Sequence, residues 1–178
     1  AYGSTNSDGF GYLIETHQWK SDGFQSIDGS NSGTGLDIKD YTVKLGYAPV
    51  DSRHAFELKY QYAEQDSNQS YLGITDADFD RDPYRRYSVS QNDLMTAEHK
   101  QLILRHDFSI RDNLNMTTTA YNNDHARSWY KLDKLGGVGP EKIIADINKG
   151  TTASSDLALQ AILLGGDSAA GDVAIKDN

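Results

Sequence analysis

An all-β fold is predicted for this 178-residue chain: an antiparallel up-and-down meander of about five long strands, with short helices in its C-terminal loop. Three observations predict it. Apolar and polar residues alternate with period two over several long stretches, the pattern of a strand with two unlike faces. The connections between those stretches alternate between long, polar ones and very short ones. No window approaches the run of about 18 apolar residues that a membrane helix requires, so a bilayer role would need a barrel.

The first strand is expected over residues 9–20, with Phe10, Tyr12 and Ile14 on one face and Glu15 and His17 on the other. Residues 21–37, rich in Gly, Ser, Asn and Asp, form a long polar loop. A hairpin follows over 38–48 and 54–64, turned by Pro49-Val50-Asp51-Ser52-Arg53. Tyr41, Val43, Leu45 and Tyr47 share one face of its first strand, and Phe56, Leu58, Tyr60 and Tyr62 one face of its second. Thr42, Lys44, Glu57, Lys59 and Gln61 take the other face. An apolar row bracketed by tyrosines and backed by charge suits a lipid-facing barrel wall, because rings with polar tips settle at the two water boundaries.

Residues 65–96 read as a second long polar loop. A strand over 97–110 then sets Leu102, Leu104, Phe108 and Ile110 against Gln101, Arg105 and Asp107. After the tight turn Arg111-Asp112-Asn113, a Thr-rich strand runs over 114–130 with Leu114, Met116, Thr118 and Ala120 outward. Val43, Leu45, Phe56, Leu58, Leu102 and Leu104 should therefore share one sheet face, with Lys44, Glu57, Lys59 and Arg105 opposite. In the loop 131–178, Pro140 opens a short helix through Asn148 with Gly150 as its stop, and Ile143, Ile144 and Ile147 share its inner side. Ser154 or Ser155 caps a second helix over 156–164, ended by Gly165-Gly166. Together these helices form a packed cap in which Ile143, Ile147, Leu157 and Ile162 are packing residues.

Tight turns on one side and long loops on the other are the arrangement of outer-membrane barrels, and strands of 11 to 17 residues exceed the ordinary length of about five or six. Five strands leave two long edges open, so the sheet is expected to close with strands outside this sequence. Leu, Ile, Val and Phe make up only about a fifth of the residues, too few for a generous water-soluble core. The formal charge of -9, with 17 scattered Lys and Arg, argues against nucleic acid as a partner. With no cysteine, there is neither a disulfide framework nor a thiolate site.

Asp76, Asp78, Asp80 and Asp82 alternate as the start of a calcium loop does, but Arg81 replaces the turn glycine and Tyr87 the bidentate Glu, so a solvated acidic loop is expected. His17, His54, His99, His106 and His125 show no metal-ligand spacing. No metal site, resident cofactor or catalytic residue is assigned. No nucleophile motif is present, and no pair of carboxylates stands out as a glycosidase couple, so the chain is not expected to be an enzyme. Pro83-Tyr84-Arg85-Arg86-Tyr87 is the sharper signal: adjacent guanidinium groups between tyrosines in an acidic chain. Two roles are open to them, contact with an anionic ligand and internal neutralisation of the preceding aspartates.

Four stretches carry a resemblance: Gly9-Phe10-Gly11-Tyr12-Leu13-Ile14-Glu15, Tyr41-Thr42-Val43-Lys44-Leu45-Gly46-Tyr47, the run from Ser70-Tyr71-Leu72-Gly73-Ile74-Thr75-Asp76 into Asp82-Pro83-Tyr84-Arg85-Arg86-Tyr87, and residues 114–121. In this order they resemble the barrel of TonB-dependent outer-membrane receptors, most closely the ferric-dicitrate type, over residues 9–132. The resemblance implies part of a transmembrane barrel in the bacterial outer membrane, in contact with its lipid. It also implies import of a ferric chelate, ferric citrate or a siderophore, with energy from the TonB complex. That complex would be reached through an N-terminal region and plug domain that this sequence lacks. Tyr84, Arg85 and Arg86 would then be the ligand contacts. The competing expectation is a β-rich soluble binding or adhesion module with long recognition loops, and a third is a carbohydrate-active enzyme using loop carboxylates.

Overall fold

The computed structural model describes residues 1–151 and 156–177. Five long strands dominate it: β2 (Phe10–Ser21), β4 (Leu36–Tyr47), β5 (His54–Ser67), β7 (Leu94–Arg111) and β8 (Leu114–Leu135). With the short strands β1 (Tyr2–Thr5) and β9 (Val173–Lys176) they form a seven-stranded, open antiparallel sheet in the order β1-β2-β4-β5-β7-β8-β9. Two further short strands, β3 (Ser26–Ile27) and β6 (Arg85–Arg86), pair in parallel.

The long strands occupy the expected places but extend further, to Ser67 in β5 and Leu135 in β8. Backbone pairing continues past the point where the alternating side-chain pattern ends. Sequence reading missed the edge strands, because four residues carry too little periodicity. β1 lies antiparallel on β2, with Tyr2 opposite Ile14. β9 pairs with β8 from Lys131 to Leu135 across an irregularity between Leu132 and Lys134. Residues 114–127 of β8 are exposed on both faces.

Contacts divide the chain into two units. The sheet unit comprises Ala1–Trp19, Ile38–Gln65 and Ala97–Ala126; the loop unit comprises Lys20–Asp37, Asp66–Thr96 and Arg127–Asn178.

Along β4, β5 and the middle of β7 the usual polarity of a protein is absent: the apolar row is at least as exposed as the polar one. Val43, Leu45, Phe56, Leu58, Leu102 and Leu104 are all exposed, between 38% and 49%. Of the alternate positions, Lys44, Glu57, Lys59 and Gln101 are half-buried and form a cross-strand polar ladder, whereas Arg105, expected on the same face, is exposed. Lys44 meets Glu57 at 4.0 Å, and Lys59 donates to Gln61 at 2.7 Å and to Gln101 at 3.2 Å. The ladder continues through Gln61 to Asp40 at 2.6 Å and through Gln101 to Asn123 at 2.9 Å. Gly9 shows how tightly the short-turn end is built: its φ is +83°, and a Cβ there would lie 1.9 Å from the carbonyl oxygen of Ala48. Only glycine meets both demands without strain.

The loop unit, by contrast, has a conventional core of Tyr87, Leu132, Leu135, Ile143, Ile144, Ile162 and Leu163, all buried. Two helices supply much of it. α2 (Pro140–Lys149) opens on Pro140 and closes on Gly150 at φ 66°, and α3 (Asp156–Leu163) follows. Burying a side chain such as Leu135 or Leu163, both at 0% exposure, stabilises by roughly 1.5–3 kcal/mol. Leu157, expected to pack, is instead exposed, and Leu159 packs against the core in its place. The proposed caps Ser154 and Ser155 lie outside the described residues.

Candidate functional site

Residues 65–96 are not an unstructured polar loop. The short helix α1 (Asp76–Arg81) lies within them, and Thr75 caps it by accepting the Asp78 backbone N–H at 3.2 Å. Helical winding separates the four alternating aspartates, so they do not converge. Asp76 pairs with Asn148 at 2.9 Å, Asp80 is exposed, and Asp82 accepts the Tyr84 backbone N–H at 3.0 Å. Asp78 alone turns inward, to 8% exposure, which corrects the expectation of a solvated acidic loop. Among the described residues no three metal-ligating groups come together.

Asp78 is instead the hub of a hydrogen-bonded network. Its Oδ2 accepts from the Tyr87 hydroxyl at 2.7 Å and from Thr75 Oγ1 at 3.0 Å. Its Oδ1 accepts from Arg85 at 2.6 Å and from Arg81 at 3.3 Å. Burial acts to raise the pKa of this carboxyl, but the hydrogen bonds from Tyr87 and Thr75 and the charges of Arg85 and Arg81 together hold it below the ordinary aspartate value. For Tyr87, burial outweighs the hydrogen bonds from Thr75 and moves the phenol upward.

The β3–β6 pairing explains the partner of Arg85. With Ser26 opposite Arg85 and the Asp28 N–H bonded to the Arg86 carbonyl at 2.9 Å, the Asp28 carboxylate lies beside the Arg85 guanidinium. Arg85 Nε donates to both Asp28 oxygens, at 3.1 and 2.9 Å, and these bonds raise its pKa against the effect of burial. Arg86 is 2% exposed and donates to Ser90 Oγ at 3.0 Å and to the carbonyls of Ser90 and Asn68. Burial lowers its pKa, opposed by the charge of Asp93. The geometry thus supplies internal partners to both arginines, and a ligand carboxylate would have to displace Asp28 and Asp78. Tyr84 differs: it is 58% exposed and meets Phe24 edge to face, with ring centres 6.2 Å apart.

Two features that sequence reading missed lie in the same unit. The first is a cleft of about 560 Å³ lined by Ser88, Gln91, Asn92, Ile162, Gly165 and Val173 among others, none of them lysine or arginine. With the carboxylates of Asp28 and Asp93 also in its wall, the cleft disfavours an anion. The second is an aromatic and cationic cluster on β8. The Lys131 ammonium stands 4.1 Å from the Tyr71 ring centre and 5.1 Å from that of Trp129, and the two rings meet edge to face at 5.2 Å. Trp129 Nε1 is buried without a hydrogen-bond partner among the described residues. Among those residues Lys131 bonds to the Tyr71 hydroxyl, not to a carboxylate. This cluster gathers a cation and two aromatic rings, of which Tyr71 is exposed, and a cation beside an exposed ring is a combination that attracts anionic or aromatic groups. It was illegible in sequence because Tyr71 and Lys131 stand 60 positions apart.

Compared with family models, curated proteins and solved structures, the chain matches none.

Proposed function

We propose that this chain is part of a bacterial outer-membrane β-barrel, from an active transporter that binds and imports a ferric chelate, ferric citrate or a siderophore, with TonB-coupled energy. One observation carries the membrane assignment: along β4, β5 and residues 101–104 of β7 the apolar row is at least as exposed as the polar row that alternates with it. Such a face needs an apolar covering, and exposed apolar patches beyond a few hundred Å² mark membrane or protein contact. Tyrosines at both heights of the band, Tyr47 beside one turn and Tyr41, Tyr60 and Tyr62 towards the other end, favour lipid over a second protein sheet. Beyond that second row, on the same face, come charged residues: Lys39 bonds Glu64 at 2.9 Å, and Tyr62 bonds both Glu64 and Glu98 at 3.0 Å. This is the sequence of polarity met on leaving a bilayer.

For the chelate, internal pairing of Arg85 and Arg86 moves the proposed contact to Lys131, Tyr71 and Trp129. The test is partitioning of the chain into detergent micelles or lipid vesicles, followed by chelate binding in the intact transporter. A chain that stays monodisperse in buffer without detergent would support the soluble binding module instead.

A further inference from the structure

We infer that the cleft of the loop unit is a binding site for a small organic cation, a primary ammonium carried on a compact apolar body. The cleft holds about 560 Å³, within the range of small-molecule sites, and every residue in its wall belongs to the loop unit. Four segments build it: the turn after β3, the single-turn helix Ser88–Ser90 with the residues that follow it, the C-terminal end of α3, and β9. Gly165 sets how closely two of them approach: its φ is +98°, and a Cβ there would stand 3.0 Å from Ser88 Oγ. Only glycine takes that conformation freely, and any side chain would crowd Ser88.

The lining sets both the charge and the shape of the occupant. The carboxylates of Asp28 and Asp93 are in the wall, and no lysine or arginine is. Asp93 is 5% exposed, and its two hydrogen bonds come from neutral donors, the Leu132 N–H at 2.9 Å and Ser70 Oγ at 2.6 Å. Arg86 attracts it from outside the lining, and Arg85 holds Asp28 in the same way. A carboxylate oxygen accepts more than one hydrogen bond, so both groups can still take a donor from a ligand. α3 ends in the same wall, and the carbonyl end of a helix carries partial negative charge. The side chains of Gln91 and Asn92 are exposed and make no hydrogen bond among the described residues, which leaves their amide oxygens to accept from an ammonium. The rest of the lining is apolar: Leu164, Val173 and Ile175 are exposed there beside the buried Ile162. An apolar body laid on them removes their surface from water. An anion would meet two carboxylates and a helix C-terminus, and a neutral polyol would leave the apolar wall wet.

Lys131, Tyr71 and Trp129 are not in the lining, so this site stands apart from the proposed chelate contact. The experiment is titration of the full chain, in zwitterionic detergent micelles at neutral pH, with phenethylammonium and with its neutral and anionic counterparts, phenethyl alcohol and hydrocinnamate, read by heteronuclear NMR. Expected are saturable shifts at the side-chain amides of Gln91 and Asn92 and at the backbone amides of Gly165 and Gly166. The ammonium should bind at least about tenfold more tightly than the alcohol, the worth of one hydrogen bond to a charged group, and the carboxylate should not bind. Gln91→Lys and Asn92→Lys, both at exposed positions, place a cation in the wall and should each weaken ammonium binding by about tenfold or more. Asp80→Asn, outside the cleft, should bind as the unaltered chain does. Alcohol binding as tight as that of the ammonium, binding of the carboxylate, shifts that do not saturate, or lysine variants with unchanged affinity would each overturn the site.

Discussion

Replacing Asp78 by alanine tests whether the loop unit is held by its internal ionic network. The substitution removes the acceptor of the Tyr87 and Thr75 hydroxyls and of Arg85 and Arg81. Arg85 keeps Asp28, and Arg81 is exposed, so neither guanidinium is left fully stranded. Tyr87, at 1% exposure, loses the acceptor of its hydroxyl proton at 2.7 Å. An unsatisfied buried donor costs about 1–3 kcal/mol, and breaking a fully buried ion pair about 3–5 kcal/mol. With Asp28 compensating, we expect about 3 kcal/mol for Asp78→Ala, against within about 0.5 kcal/mol for the exposed Asp80→Ala. Hydrogen exchange at the backbone amides of Thr75, Tyr87 and Leu132 is the assay, because it reports the loop unit alone. The carboxyl's folded pKa lies below its unfolded value of about 3.9. Its contribution is therefore full above that value and is lost as pH falls through the lower folded pKa. Protection should decline in that acid window in the unaltered chain and be flatter in Asp78→Ala. Equal protection in the Asp78 and Asp80 variants would refute the network's role.

Further outcomes follow from the sheet and from β8. Leu45→Arg in the intact barrel should cost about 2–4 kcal/mol in a lipid refolding titration, and Lys59→Gln almost nothing; equal effects would place the Leu45 face in water. Gly9→Ala, which forces φ +83° on an L residue and sets a Cβ 1.9 Å from the Ala48 carbonyl oxygen, should destabilise the short-turn end by more than the roughly 1–2 kcal/mol of the left-handed conformation alone, measured by urea unfolding. Lys131→Ala should weaken ferric-chelate binding by the intact transporter about tenfold, a 1.4 kcal/mol loss, with weaker salt dependence. Arg85→Ala should act mainly on loop protection, and the opposite ranking would return the ligand contact to the arginines.

The long strands and the two C-terminal helices were legible in sequence because their determinants are local. Alternation from Tyr41 to Tyr62 sets the two faces of a hairpin, and Pro140 with Gly150 marks the ends of α2 through backbone constraints carried by those residues alone. Edge strands escaped because β1 and β9 have four residues each and exist only through their partners. The aspartate run was misread for a related reason: alternation in a loop does not reveal that residues 76–81 wind into a helix, and winding leaves only Asp78 facing Tyr87 and Arg85. The roles of Arg85 and Arg86 were undecidable in sequence, since the choice rests on Asp28, 57 positions away, being brought alongside by a two-residue parallel pairing. The same holds for Lys131 with Tyr71. By itself, then, the sequence determined the five long strands, the two C-terminal helices and which side of β4, β5 and β7 is apolar, since backbone geometry alone imposes those periods. Tertiary structure decided which charges are neutralised and which aromatic rings gather around a cation, because those contacts join residues that only chain folding brings within a few ångströms.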